Sequence, residues 1–97
     1  MAKNEKFVKE LAYVVFSMMP TKPSKLTGNE VKFIRVYLGK TKSAFGKFFK
    51  LSHTAISNWE KAEDRPAPIS LSQEMMLRLY IEDHLNRSVR EFYKERF

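Results

Sequence analysis

Residues 41–60, TKSAFGKFFKLSHTAISNWE, decide the reading of this chain. They describe two short helices joined by a tight turn. In the first, Phe45, Phe48 and Phe49 recur at i, i+3, i+4, which sets their rings on one side. Gly46 sits beside them, where a second helix can cross closely. In the second, Ile56 and Trp59 form an i, i+3 anchor with Leu51 before it. Ser52 is placed to accept a bond from an unpaired backbone N–H at the helix start. Aromatic rings at this spacing are read as core and not as a ligand pocket. The other side chains, His53, Thr54, Ser57, Asn58 and Lys61, are short, polar or basic and fall on the outward side. A helix anchored by a few apolar residues and otherwise offering donors and acceptors suits a DNA major groove.

On the N-terminal side, Thr27 and Glu30 form a capping box, and Gly39 stands where a left-handed helix end is needed. Between them Val31, Ile34 and Leu38 make an apolar stripe widened by Phe33 and Tyr37. Thr41 caps the next helix, and Lys50 occupies the turn before Leu51. Residues 3–19 read as an amphipathic helix with Phe7, Leu11, Val14, Val15 and Met18 on one face, although LAYVVF is also strand material. Pro20 and Pro23 then end it in a linker.

On the C-terminal side, KAEDRPAPIS is a polar loop stiffened by Pro66 and Pro68. Ser70 or Ser72 caps a helix to about Leu85, with Met76, Leu77, Tyr80, Ile81 and Leu85 apolar. Ser88 and Glu91 form a second capping box, so a last helix carries Val89, Phe92, Tyr93 and Phe97 on one side. The expected fold class is all-α, a compact bundle of about five helices. An extension covers residues 1–25, the helix-pair domain residues 26–86, and a C-terminal helix residues 87–97, free for a dimer or partner contact.

Composition narrows the function. The chain of 97 residues allows one small domain, and 43% apolar content is enough for a modest core. It contains no cysteine and two histidines, so neither a disulfide framework nor a metal centre is expected. The net charge of +7 is uneven. Residues 1–26 hold five Lys or Arg against two acids, residues 27–65 eight against four, and residues 66–97 five of each. The excess surrounds the helix pair, which is the electrostatic footprint of a polyanion partner. No run approaches the roughly 18 apolar residues of a membrane span. Lys3, Lys6 and Lys9 lead into an apolar run interrupted by Glu5, Glu10 and Ser17, which is not a secretory leader pattern. A cytoplasmic location is the expectation, nucleoid-associated when bound to DNA.

No enzyme is expected. Ser52 and His53 are adjacent at a helix start, point apart, and have no third group to orient the imidazole. Glu63-Asp64 and Glu82-Asp83 lack metal-ligand spacing, and His84 reads as solvated. No catalytic residue, cofactor or metal follows from the sequence.

The stretch LTGNEVKFIRVYLGKTKSAFGKFFKLSHTAISNWEKAEDRP, with its caps, turn and Trp-Glu in order, resembles the Cro/C1-type (Xre-type) helix-turn-helix domains of phage repressors and bacterial regulators. The similarity runs from about Leu26 to Leu85. The opening LTGNEVKFIR and the closing Pro-containing loop with MLRLY look most like antitoxins of the MqsA/YgiT and HigA type. The resemblance implies a lambda-repressor-like fold whose second motif helix enters the major groove. Carried over residue by residue, it assigns base contacts to His53, Thr54 and Asn58. It assigns DNA-backbone contacts to Lys42, Ser52, Ala55, Ser57, Lys61 and Arg65. It also implies a partly buried ion pair between Arg35 and Glu60. The chain departs from the family at His53, where Gln is frequent, which alters the base preference. It departs again at Lys50 in place of the turn glycine, Gly46 in place of a usual Ala, and Ala44 in place of a frequent Glu.

The implied function is sequence-specific binding of double-stranded DNA by a transcriptional regulator, a repressor acting as a homodimer on a palindromic operator. Its narrower form is an antitoxin that autoregulates a toxin–antitoxin operon and binds a toxin. No membrane partner is implied. The rival is a protein-interaction module that uses the same fold without reading DNA.

Overall fold

The computed structural model describes residues 2–96, and the side chains of all of these except 2–4, Val89, Phe92, Tyr93 and Arg96. The helices among the described residues are α1 (Ala2–Met18), α2 (Gly28–Tyr37), α3 (Lys42–Phe48), α4 (His53–Glu60) and α5 (Leu71–Arg96). A 3-10 turn, Met19–Thr21, follows α1, and an isolated bridge joins Thr27 to Pro66. The fold is all-α, with no strand among the described residues. None of these helices is long and apolar enough to cross a membrane. The chain divides into two units, residues 22–74 and residues 1–21 with 75–97.

In the unit of residues 22–74 the helix boundaries follow from side-chain and backbone caps. Thr27 Oγ1 accepts from the Glu30 N–H at 3.2 Å, and Glu30 Oε1 accepts from the Thr27 N–H at 2.8 Å. Burial alone pushes the Glu30 carboxyl up. The paired Lys22 ammonium and the bonds from Thr27 outweigh it and hold the group below its ordinary value. Thr41 Oγ1 accepts from the Ala44 N–H at 3.1 Å. Both α2 and α3 end in the same reciprocal turn, with a left-handed residue just past the cap. In α2 this residue is Gly39 (φ 69°), and the Lys40 and Gly39 N–H groups bond the carbonyls of Arg35 and Val36. In α3 it is Lys50 (φ 59°), and the Leu51 and Lys50 N–H groups bond Gly46 and Lys47.

A lysine in that conformation brings its Cβ close to its own carbonyl oxygen. Lys50→Gly is therefore expected to raise stability by about 0.5–1 kcal/mol, the relief of strain exceeding the extra entropy of an unfolded glycine. Urea denaturation checks the sign.

Helices α3 and α4 pack on each other, and α2 packs on α4. The core takes Leu26, Val31, Ile34, Phe45, Phe49, Ile56 and Trp59, together with Ala67 and Ile69 of the loop before α5. Phe49 is its pivot, meeting Phe45 at 5.4 Å and Trp59 at 5.2 Å between ring centroids, edge to face. Phe48 shares the stripe in sequence but is 42% exposed, with its ring against that of Phe49. The loop is held from below: Lys25 Nζ donates to the carbonyls of Ala67 and Ile69, and buried Glu74 accepts from the Leu26 N–H at 3.0 Å.

In the second unit α1 is a helix, not a strand, but its packing differs from the sequence expectation. Phe16 and Met19 are the buried residues, while Phe7, Leu11, Val14 and Met18 face outward and Val15 is half-buried. Arg78 Nη1 donates to the carbonyls of Met19 and Pro20. His84 is half-buried and sets its ring edge to face with Phe16 at 5.7 Å, so the solvated reading of His84 is corrected. On α5, Leu77 and Ile81 are fully buried, Tyr80 and Leu85 half-buried, and Met76 exposed.

The break expected at Ser88 is absent, since α5 runs through it. The Ser88 hydroxyl donates to the His84 carbonyl one turn back at 3.1 Å, and the same residue type that caps a helix is satisfied inside one. An Asp83–Arg87 pair at 2.9 Å spans the same turn. The side chains of Val89, Phe92, Tyr93 and Phe97, read as a stripe for a second subunit, lie outside the described residues.

Candidate nucleic-acid interface

The eight residues of α4 are rotated by what holds them. Ser52 Oγ accepts from the Ala55 N–H at 3.4 Å and starts the helix. Ile56, Trp59 and Glu60 are buried, and these three positions fix one side. The opposite side then carries Thr54 and Asn58, both exposed and one turn apart, while His53, three residues before Ile56 and seven before Glu60, is exposed because it opens the helix. Ala55 and Ser57 lie half-buried on the flanks, and Lys61 is exposed just past the last turn.

Arg35 of α2 sets the azimuth of α4. Its Nε donates to Glu60 Oε2 at 2.7 Å and its Nη2 to Oε1 at 3.1 Å, a two-pronged pair with little exposure. The remaining Nη1 donates to the Lys40 carbonyl at 3.0 Å, so one guanidinium ties α4 to the end of α2. Among the described residues every buried side-chain nitrogen or oxygen has a partner.

Beside α4 lies an open polar cleft of about 540 Å³, lined by Asn29, Lys32, Lys42, Ser57, Glu60, Lys61 and Glu63. A shallower hollow of about 350 Å³ is lined by Asn58, Lys61, Ala62, Arg65, Pro66 and Pro68. Lys61 borders both. The fold thus gathers Lys42, Ser57 and Lys61 in one place and Asn58, Lys61 and Arg65 in the next. Ser52, His53, Thr54 and Ala55 line neither and stand on the first turn of α4 or just before it. The loop carrying Arg65 is pinned to α2: the Gly28 N–H donates to the Arg65 carbonyl and Asn29 Nδ2 to Asp64 Oδ1 at 2.9 Å.

Lys32 and Asn29 belong to this surface and were not legible as such in sequence. Both sit on α2, where a lone lysine reads as a solvated charge. Only the packing of α2 on α4 brings Lys32 to Lys42 and Lys61.

Lys32, Lys42 and Lys61 line this cleft with two carboxylates, Glu63 and the Glu60 group already committed to Arg35, which leaves basic groups in excess. Such an arrangement attracts an anion and holds it by hydrogen bonds without covalent chemistry. No group of His, Asp and Glu able to hold a metal ion occurs among the described residues. Comparison with protein-family models, with curated proteins and with solved structures finds no match to this chain.

Proposed function

We propose that the chain is a sequence-specific double-stranded DNA-binding regulator, a repressor built on a lambda-repressor-like helix-turn-helix formed by α3 and α4. The observation that carries this reading is α4 itself. Its inner side is held by Ile56, Trp59 and the Arg35–Glu60 pair, its outer side offers Thr54 and Asn58 beside a cleft of three lysines, and His53 is exposed at its first position. In this reading Asn58 bonds an adenine edge, Thr54 meets a thymine methyl, and His53 supplies one donor and one acceptor. Lys32, Lys42, Lys61 and Arg65 meet phosphates. They set register and affinity without reading bases.

Two substitutions separate the roles. Asn58→Ala is expected to lose about 1–3 kcal/mol on the preferred duplex and to relax preference at one base pair. Lys42→Ala is expected to weaken cognate and scrambled duplexes alike and to reduce the salt slope by about one unit. The preferred duplex comes from selection on random DNA, and fluorescence anisotropy at several salt concentrations reads both effects. Equal loss on both duplexes for Asn58→Ala would assign base reading to another face.

The rival reading, an interaction module that ignores sequence, is favoured by the large apolar side chains exposed on α1. An apolar protein contact shows little salt dependence, whereas DNA binding weakens with a log–log slope of about −0.9 per phosphate neutralised. The antitoxin form of the proposal adds a toxin partner, and co-purification with a candidate toxin tests it separately.

A further inference from the structure

Helix α1 buries one large side chain, Phe16, and turns a stripe of four others to solvent on the opposite side. Phe16 and Met19 are buried. Phe7, Leu11, Val14 and Met18, on the far side, are 65%, 52%, 51% and 63% exposed. Four large side chains in one stripe, flanked by Val8, expose several hundred Å² of contiguous apolar surface, at the level that marks an interaction site.

The pattern of the stripe suits a second copy of the chain. The positions 7, 11, 14 and 18 are separated by four, three and four residues, a spacing that reads the same in both directions. Laid antiparallel on a copy of itself, the stripe sets Phe7 against the copy's Met18 and Leu11 against its Val14. A two-fold interface requires this self-complementarity, since one surface must serve as both partners.

Charge selects the same arrangement. Every charged residue of α1 precedes Leu11, and none lies between Leu11 and Met18. Antiparallel pairing carries Lys6 and Lys9 of the two copies to opposite ends of the contact, whereas parallel pairing would bring them together. Glu5 and Glu10 interleave with Lys3, Lys6 and Lys9, so the helix has no continuous basic face to favour an anionic membrane surface over a second copy.

We propose that the Phe7–Leu11–Val14–Met18 stripe of α1 is the dimer interface of this protein, closed by the same stripe of a second copy in antiparallel register. This inference rests on α1 and not on the reading of α4 as a DNA-binding helix. A contact of one helix face per copy lies at the small end of stable interfaces, so the dissociation constant falls roughly in the micromolar range.

Sedimentation equilibrium of the full chain without DNA tests the proposal. The expected result is a monomer–dimer equilibrium that Leu11→Lys with Val14→Lys weakens at least tenfold, with unchanged helical circular dichroism. The chain has no cysteine, so engineered thiols report the register directly. A mixture of Phe7→Cys and Met18→Cys chains is expected to cross-link between the two species, and either chain alone far less. A wild-type chain that stays monomeric at all concentrations overturns the proposal. So does a dimer indifferent to the two lysines, cross-linking of Phe7→Cys with itself, or a monomer whose α1 binds lipid vesicles instead. Normal self-association with no DNA preference would sink the α4 reading and leave this one standing.

Discussion

Gly28→Ala is expected to destabilise the protein by about 3 kcal/mol, and Gly46→Ala by about 2, both through overpacking against backbone. Local propensity points the other way, since a helical glycine replaced by alanine ordinarily gains about 1 kcal/mol. The space around each site decides. A Cβ on Gly28 would lie 2.6 Å from the Glu63 nitrogen, 2.7 Å from the Trp59 oxygen and 2.8 Å from the Glu60 oxygen. One on Gly46 would lie 2.5 Å from the Leu51 oxygen. These are main-chain atoms, and at Gly46 the Leu51 N–H is itself bonded to the Gly46 carbonyl at 2.9 Å. Leu51 cannot swing away without opening the turn and moving the Ser52 cap of α4. Gly39→Ala is the control, because nothing lies within 4 Å of its Cβ and only the φ of 69° opposes substitution, at about 1 kcal/mol. Urea denaturation of the three variants checks the order. A Gly46→Ala protein as stable as the wild type would mean that the chain does not cross there as described.

What was legible in the sequence was local. The Thr27–Glu30 box, the Thr41 and Ser52 caps and the left-handed position at Gly39 each need only a few neighbouring residues, and each stands where the pattern puts it. The close approach at Gly46 was anticipated as a helix crossing. The neighbour is instead the turn at Leu51, because the reciprocal turn folds the chain back over its own helix. Ser88 misled for the opposite reason: a hydroxyl that caps a helix is equally content bonding one turn back inside it. Helix α1 shows where periodicity runs out, since Phe7, Leu11, Val14 and Met18 form the better stripe and yet Phe16 and Met19 are the buried residues. A stripe announces an apolar face but not which partner covers it. For the candidate site, spacing sufficed to place Thr54 and Asn58 outward, whereas His53 shares the azimuth of Ile56 and Glu60 and is exposed only because it opens α4. Lys32 entered only through the packing of α2 on α4. The Arg35–Glu60 pair spans 25 residues and has no local signature, so in sequence it rested on resemblance alone.

That pair carries the largest electrostatic prediction. Arg35→Met is expected to cost about 3–5 kcal/mol, because it strands the Glu60 carboxylate in the core without its counter-charge. The Glu60 side chain is 7% exposed and that of Arg35 12%, so water cannot replace the guanidinium without opening the contact between α2 and α4. The double variant, Arg35→Met with Glu60→Leu, removes both charges and fills much of their volume. Its stability is expected within about 1 kcal/mol of the wild type, since desolvation of the native pair offsets most of its attraction. A double-mutant cycle in urea therefore yields a coupling of several kcal/mol, and additive single effects would show that the two groups do not interact. Stability and function then part company. In the double variant α4 keeps Ile56 and Trp59 in the core but loses the side-chain bonds that tie it to α2. On the proposed DNA-binding reading, the expected outcome is a stable protein whose discrimination between preferred and scrambled duplexes falls while its salt-dependent affinity persists. Full discrimination in that variant would mean that packing, not the ion pair, aims the outer side chains of α4.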